Sequence, residues 1–291
     1  MAAASLRTVR RKIRVVTNIQ HITKAMQMVA AAKLKRAQGA LTAGRPYWDR
    51  MQQLVGRVSQ AAGQVSHPLL DARPEVRAVG LLAIAGDKGL CGAYNANVAR
   101  LAVRWISERQ HPVRVVVVGR KLVPYLRRAD SDLAYAVSAP TGPDATPAAL
   151  AVARRLREWY ETRVVDEVYV CYAQFVSAIE NRPTVVPLLP VSAMAAPAET
   201  EPEALDYIFE PEPAELLGRL LPRFVDAQVC HLVLEAAASE HGARMTAMSA
   251  ATRNAEEMID TLTLSSNRAR QAGITKELLE VVTGAEALAE G

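Results

Sequence analysis

The sequence predicts an α/β protein whose N- and C-terminal ends are long helices that pair as an antiparallel coiled coil. Three observations lead there. The last quarter of the chain repeats small and apolar residues in alternating steps of three and four. The first sixty residues carry a comparable stripe. Between them, short apolar runs alternate with helical patterns. The implied organisation is an N-terminal helix over 1–62, an α/β domain with a connector over 63–212, and a C-terminal helix over 213–291.

The C-terminal pattern is the clearest. Met245, Met248, Thr252, Ala255, Ile259, Leu262, Ser266, Ala269, Gly273 and Lys276 fall on one seam, and a sustained seven-residue repeat winds helices into a left-handed supercoil. No proline follows Pro222, so nothing forces a break. About 70 residues at 1.5 Å each make a rod on the order of 100 Å long. A core of this chain's size cannot enclose such a rod, so much of it must meet other surfaces. Ser266, Ala269 and Gly273 weaken the seam near its end and let a partner come close.

At the other end, Ser5 is a plausible N-cap, and Leu6, Val9, Ile13 and Val16 keep the three-four step. The apolar positions then slip by one, to Ile19, Ile22, Met26 and Val29, which predicts a local change in supercoil without a break. Helical pattern runs on to about Ala61, with Gly39, Gly44 and Pro46 as weak points. Two such helices at opposite ends of one chain pair antiparallel when a compact domain joins them.

That domain reads as strands at 77–85, 112–118, 168–172 and 184–189, with helices at 93–109, 121–128 and 147–162. Alternation of this kind implies a mainly parallel, Rossmann-like sheet. Residues 191–213, rich in Ala, Pro and Glu, read as an extended connector in which 205–209 is a candidate edge strand.

Composition narrows the function. Half of the 291 residues are hydrophobic but only 5% are aromatic, a bias that suits long helices better than an aromatic active-site pocket. The net charge is +5, yet residues 1–60 hold twelve Lys and Arg against Asp49 alone. A basic arm on a mildly acidic body points to a partner with acidic surfaces. The arm could also hold nucleic-acid phosphates, but aromatic residues are not interleaved with it, and its apolar stripe calls for a helical partner. Cys91, Cys171 and Cys230 stand far apart, without metal-ligand spacing, so no metal is expected. No apolar run is long enough to span a membrane.

The turn Gly86-Asp-Lys-Gly-Leu-Cys-Gly92 follows a strand and precedes a helix, where phosphate-binding loops sit. It has neither the GxxxxGK[ST] nor the GxGxxG order, so the expectation is a surface loop offering Asp87, Lys88 and Cys91 to a partner. The five histidines are scattered, with no nucleophile or carboxylate pair placed beside them in sequence. Catalysis by this chain alone is not expected, and neither is a cofactor.

Taken together, several stretches resemble the γ subunit of rotary F-type ATP synthases. They are Ser5-Leu-Arg and Ile19-Gln-His-Ile-Thr-Lys-Ala-Met-Gln-Met-Val-Ala-Ala-Ala-Lys33; the loop Gly86-Asp-Lys-Gly-Leu-Cys-Gly-Ala-Tyr-Asn95; Gln174-Phe-Val-Ser-Ala178; Leu188-Leu-Pro190; Tyr207-Ile-Phe-Glu-Pro211; Ala238-Ser-Glu-His-Gly-Ala-Arg-Met-Thr-Ala-Met248; and Asn267-Arg-Ala-Arg-Gln-Ala-Gly-Ile-Thr-Lys-Glu-Leu-Leu-Glu280. They follow the family's order from end to end. The resemblance implies a single-copy central stalk inside a ring of three α and three β subunits. Its foot would rest on the c-subunit ring beside the ε subunit, with the whole peripheral to the cytoplasmic side of a bacterial inner membrane.

By the same resemblance, Arg270, Gln271, Thr275, Glu277, Lys24, Met26, Asp87, Lys88 and Cys91 are expected to meet β, and Tyr207, Phe209 and Glu210 to meet ε and the ring. The nucleotide sites would belong to α and β. Ala85-Gly86-Asp-Lys stands where Ser-Asp-Arg is common in the family, and lysine lacks arginine's bidentate geometry. Phe209 stands where tyrosine is frequent, and no plant-type dithiol insertion is present.

Overall fold

The computed structural model describes residues 2–62, 67–129, 131–140, 145–191 and 210–289. The elements in order are α1 (Ala2–Ala62), β1 (Val79–Ile84), α2 (Tyr94–Ser107), β2 (Val113–Val118), α3 (Val123–Leu126), β3 (Asp132–Val137), α4 (Ala145–Glu161), β4 (Glu167–Phe175), β5 (Asn181–Leu189) and α5 (Pro213–Ala289). The chain divides into two compact units, Met1–Val29 with Met245–Gly291, and Ala30–Arg244. Each long helix contributes to both.

In the larger unit the strands lie in the order β3-β2-β1-β4-β5. β1 pairs parallel with β2 and β4, β2 parallel with β3, and only β4–β5 is antiparallel. Apolar side chains alternate between two cores, as the two-residue period of a strand requires. Leu82, Ile84, Val116, Val118, Val168 and Val170 face one core, shared with α4 and with parts of α1 and α5. Val79, Leu81, Ala83, Val115, Val117 and Cys171 face the other, shared with α2. A sheet covered on both faces explains why β1 reads as an unbroken apolar run. Asp166 ties the strand starts together by accepting the N–H groups of Arg77 and Ala78 at 2.8 and 3.1 Å.

β3 escaped the sequence reading. Its composition, Asp-Leu-Ala-Tyr-Ala-Val, has few β-branched residues, and as an edge strand it is only half-buried; neighbours recruit it rather than propensity. The candidate strand at 205–209 lies outside the described residues. α1 begins at Ala2, so Ser5 lies within its first turns and is not its cap. α1 also runs through Pro46, where the Trp48 indole packs directly over Gly44.

The smaller unit is a two-helix antiparallel coil. Gln20 Nε2 donates to Glu256 Oε1 at 3.0 Å, and the Thr23 and Thr252 hydroxyls meet at 2.9 Å, so rising numbers on α1 pair with falling numbers on α5. On α5, Met248, Thr252 and Ala255 are buried, and Met245, Ile259, Leu262, Ser266, Ala269 and Gly273 are half-buried. The predicted seam is therefore observed as far as Gly273, whereas Lys276 is exposed and pairs with Glu280 at 3.5 Å.

On α1 the predicted slip does not occur. The three-four register continues through Gln20, Thr23 and Gln27, while Ile19, Ile22 and Val29 are exposed. Polar residues can hold the seam because their groups are satisfied there: Thr252 Oγ1 donates to the Met248 carbonyl and is itself met by Thr23 Oγ1. A hydrogen-bonded buried hydroxyl avoids most of its desolvation cost.

Gly119, at the end of β2, combines φ 105° with a contact that excludes any side chain: a Cβ there would lie 2.1 Å from the Ala85 carbonyl oxygen. Gly119→Ala is expected to destabilise the protein by about 3 kcal/mol or more. Urea unfolding measures this, and a loss under about 1 kcal/mol would mean that the β1 and β2 ends need not approach so closely.

Candidate partner-binding surfaces

In open α/β sheets, ligands bind outside the carboxyl ends of the strands, at the point where strand order reverses. Here that point lies beside β1, and the loop after it, Gly86–Gly92, is in the position of a phosphate loop. The place is taken by the chain's own C-terminal helix. Tyr94 Oη donates to the Ala236 carbonyl at 2.9 Å, and Glu235 accepts the Phe175 N–H at 3.1 Å. The Glu240 carboxylate lies so close to Gly86 that a Cβ there would be 2.5 Å from Oε1. The cavity that remains, lined in part by Ile84, Val118, Ala236 and Glu240, holds about 20 Å³, room for about one water. A nucleotide does not fit.

The loop is fastened from three sides. From α2, Asn95 Oδ1 accepts the Gly86 N–H at 2.9 Å while its Nδ2 donates to the Lys88 carbonyl at 3.1 Å. From the β2–α3 connection, the Arg120 N–H donates to Asp87 Oδ1 at 2.8 Å, with the guanidinium 3.7 Å away. From α5, Arg244 Nη2 reaches the carbonyls of Lys88 and Gly89 at 3.4 Å each and bonds Glu240 Oε1 at 2.6 Å.

These contacts sort the loop residues that the sequence singled out. Lys88 is exposed. Asp87 is half-buried and engaged with Arg120. Cys91 is only 2% exposed, its thiol pushed upward in pKa by burial, so it shapes the loop from inside. Leu90, which sequence reasoning did not select, is 62% exposed. Burial also raises Cys171 to about 12 and Cys230 to about 11, leaving all three free thiols poorly reactive.

In the smaller unit, Arg270, Gln271, Thr275 and Glu277 are all exposed; at helical spacing Gln271 and Thr275 lie opposite the half-buried line through Ala269 and Gly273, and Arg270 and Glu277 flank it. At helical spacing Arg270 and Glu277 lie along one row, and Gln271 and Thr275 along the next. Around them Ile274, Leu278, Leu279, Val281 and Val282 are exposed as well. Lys24 is exposed and Met26 half-buried, beside the exposed Val15, Ile19 and Ile22. Exposed large apolar side chains thus recur along both helices of this unit. Glu210 is exposed; Tyr207 and Phe209 lie outside the described residues. Among those described, no three His, Cys, Asp or Glu side chains converge as a metal site, and no helix is long and apolar enough to cross a membrane.

A family model described as ATP synthase matches residues 5–288. The chain is 48% identical over 286 residues to the ATP synthase gamma chain of Desulfitobacterium hafniense, covering 98% of this chain and 99% of that one. It is 45% identical over 285 residues to the gamma chain of Moorella thermoacetica, with the same coverage. Among solved structures it is similar to a chain of the central stalk and c-ring of the Tetrahymena thermophila mitochondrial ATP synthase. The TM-score is 0.60 and the identity 26%, over 79% of this chain and 99% of that one. A chain from the Euglena gracilis mitochondrial ATP synthase shares the fold, with a TM-score of 0.66 at 19% identity over 98% of this chain and 95% of that one.

His241, buried beside Arg244 and Lys33, has its pKa lowered to about 4, first by burial and then by those two cations. Its folded value lies below its unfolded one, so the unfolded chain takes up the extra proton. The contribution to stability is whole above pH ~6.5 and is lost as pH falls toward about 4. Replacing it by a neutral side chain, His241→Gln, is expected to flatten the decline in urea midpoint between pH 7 and 4.5. An undiminished decline in the variant would refute this assignment.

Proposed function

The chain belongs to the ATP synthase gamma family, and from that premise we propose that it is the central rotor shaft of an F-type ATP synthase. In this reading it transmits torque between a membrane c-ring and a catalytic head of three α and three β subunits, coupling ion flow to ATP synthesis and hydrolysis. Helices 1–62 and 213–291 serve as the shaft and 63–212 as the foot. The chain is a non-catalytic, single-copy subunit that sits peripherally on the cytoplasmic face of a bacterial inner membrane.

The observation that carries this reading is the end of the coiled coil. The seam weakens through Ser266, Ala269 and Gly273, and beyond it the exposed surface combines Arg270, Gln271, Thr275 and Glu277 with exposed Ile274, Leu278 and Leu279. Such a tip supplies directional hydrogen-bond donors on an apolar bearing surface. Arginine and glutamine can make and break several bonds as the shaft turns, so each orientation offers the β subunits a different set of contacts. An asymmetric shaft drives a site only through such differential contact energy. Lys24, Met26, Asp87 and Lys88 are assigned to further β contacts, with Cys91 acting from within its loop. Tyr207, Phe209 and Glu210 are assigned to ε and the ring. The filled crevice beside β1 supports placing the nucleotide chemistry in other subunits.

Reconstitution tests the proposal. Purified α and β subunits from the same source are mixed with and without this chain, then assayed for stoichiometry and sustained ATP hydrolysis. One copy per three α and three β subunits, with turnover depending on it, is expected. Failure to assemble would reject the rotor reading. Within the complex, Arg270→Leu combined with Gln271→Leu removes hydrogen bonds to charged groups valued at about 1.5–3 kcal/mol each. Turnover is expected to fall roughly tenfold or more with the melting midpoint of the free chain unchanged; unchanged turnover would remove these two residues from the β interface.

A further inference from the structure

A second cavity of the larger unit lies between α1, α5 and the end of β4. It holds about 480 Å³, against about 20 Å³ in the crevice beside β1, and small-molecule sites span about 300–1,000 Å³. Trp48 and Phe175 supply aromatic walls, while Arg45, Asp49, His231 and Glu235 supply charged and titratable groups.

The sequence of α1 opens this space. A Cβ on Gly44 would lie 2.6 Å from the Trp48 indole, so glycine is what lets the ring lie back along its own helix. Pro46 has no N–H to give the Thr42 carbonyl four residues earlier, and Thr42 lines the cavity. From α5, the His231 ring packs on Trp48 with centroids 4.0 Å apart. Its Nδ1 is buried without a partner, and its Nε2 lies 3.8 Å from Glu235 Oε2, too far for a hydrogen bond. Glu235 is anchored by the Phe175 N–H at 3.1 Å and by Tyr172.

The charge of the cleft is negative on balance. Asp49 and Glu235 are carboxylates, and Arg45 is already drawn to Asp49 at 3.8 Å. Burial disfavours charge on both inner groups, raising Glu235 and lowering His231 in pKa. His231 is therefore neutral at pH 7, and the Glu235 carboxylate is short of a compensating charge. Two groups 3.8 Å apart can share one atom lying about 2.8 Å from each. A carboxylate only accepts, and with its proton on Nδ1 the imidazole offers Nε2 as an acceptor beside it. A group with several N–H donors satisfies both. If that group is an ammonium close to the indole, it gains cation–π attraction as well.

We propose that this cleft binds a small organic cation, a primary alkylammonium whose head is taken by Glu235 and His231 and whose apolar body lies against Trp48 and Phe175. Asp49 adds to the field that draws the charge in. The site is independent of the rotor reading, because every residue in it belongs to this chain's larger unit.

The full chain is titrated by calorimetry with phenethylamine and, as a neutral control of similar size, with phenethyl alcohol. Ionic strength is kept low, where exposed charges are least screened. The amine is expected to bind one per chain and at least tenfold more tightly than the alcohol. Glu235→Gln keeps an acceptor for the Phe175 N–H but removes the charge, and it is expected to weaken the amine at least tenfold while leaving the alcohol unchanged. Because Glu235 also supports the fold, Asp49→Asn is the second variant: Asp49 is exposed, and its loss is expected to weaken the amine severalfold with the melting midpoint unchanged. The indole N–H resonance of Trp48, assigned through Trp48→Phe, is expected to move on titration while those of Trp105 and Trp159 stay. No saturable binding of the amine, equal affinity for amine and alcohol, or amine binding untouched by both substitutions would each overturn the proposal.

Discussion

The structure depends on one helix that is buried in two different ways. From Leu217 to Ala236, α5 lies in the core, contributing Leu217, Leu221, Phe224, Val225, Val229, Leu232, Val233 and Ala236 to one side of the sheet. From Met245 onward only the three-four line through Met248, Thr252 and Ala255 is covered. A helix within a core is apolar over much of its circumference, and one in a two-stranded coil is apolar along a single seam. No proline or cap interrupts α5 after Pro222, so one helix supplies core residues to the larger unit and seam residues to the smaller one.

The crevice beside β1, which comparable sheets use for nucleotides, receives the stretch of α5 around Ala236 and Glu240. A carboxylate therefore packs against the first glycine of the loop where another protein would place a phosphate. The loop's polar groups turn inward to Asn95, Arg120 and Arg244, and its outer face is left for Lys88 and Leu90.

The seam of the coil follows a similar logic. Burying Thr23 opposite Thr252 leaves both hydroxyls satisfied, and this frees Ile19, Ile22 and Val29 to face outward. A purely apolar seam would have used those side chains and left a polar exterior. Instead the coil keeps a polar, register-defining contact inside and apolar surface outside.

The amino-acid sequence by itself determined the long helices, the α5 seam from Met245 to Gly273 and the strands covered on both faces, because each is written as a local period that survives any tertiary arrangement. It also carried the family, through motifs spread over nearly the whole chain. The register of α1 was decided only in the folded molecule: Ile19 and Ile22 look like seam residues until Thr23 and Thr252 are seen to satisfy each other. β3 required its neighbours, being a poorly biased edge strand. The fastening of the loop after β1 and the filling of the crevice by Glu240 depend on contacts between residues about 150 positions apart. No local pattern encodes such a pairing, since a glutamate and an arginine four apart on a helix read equally well as a solvated surface pair. Burial against the loop gives them a different part, and burial is a property of the tertiary structure alone.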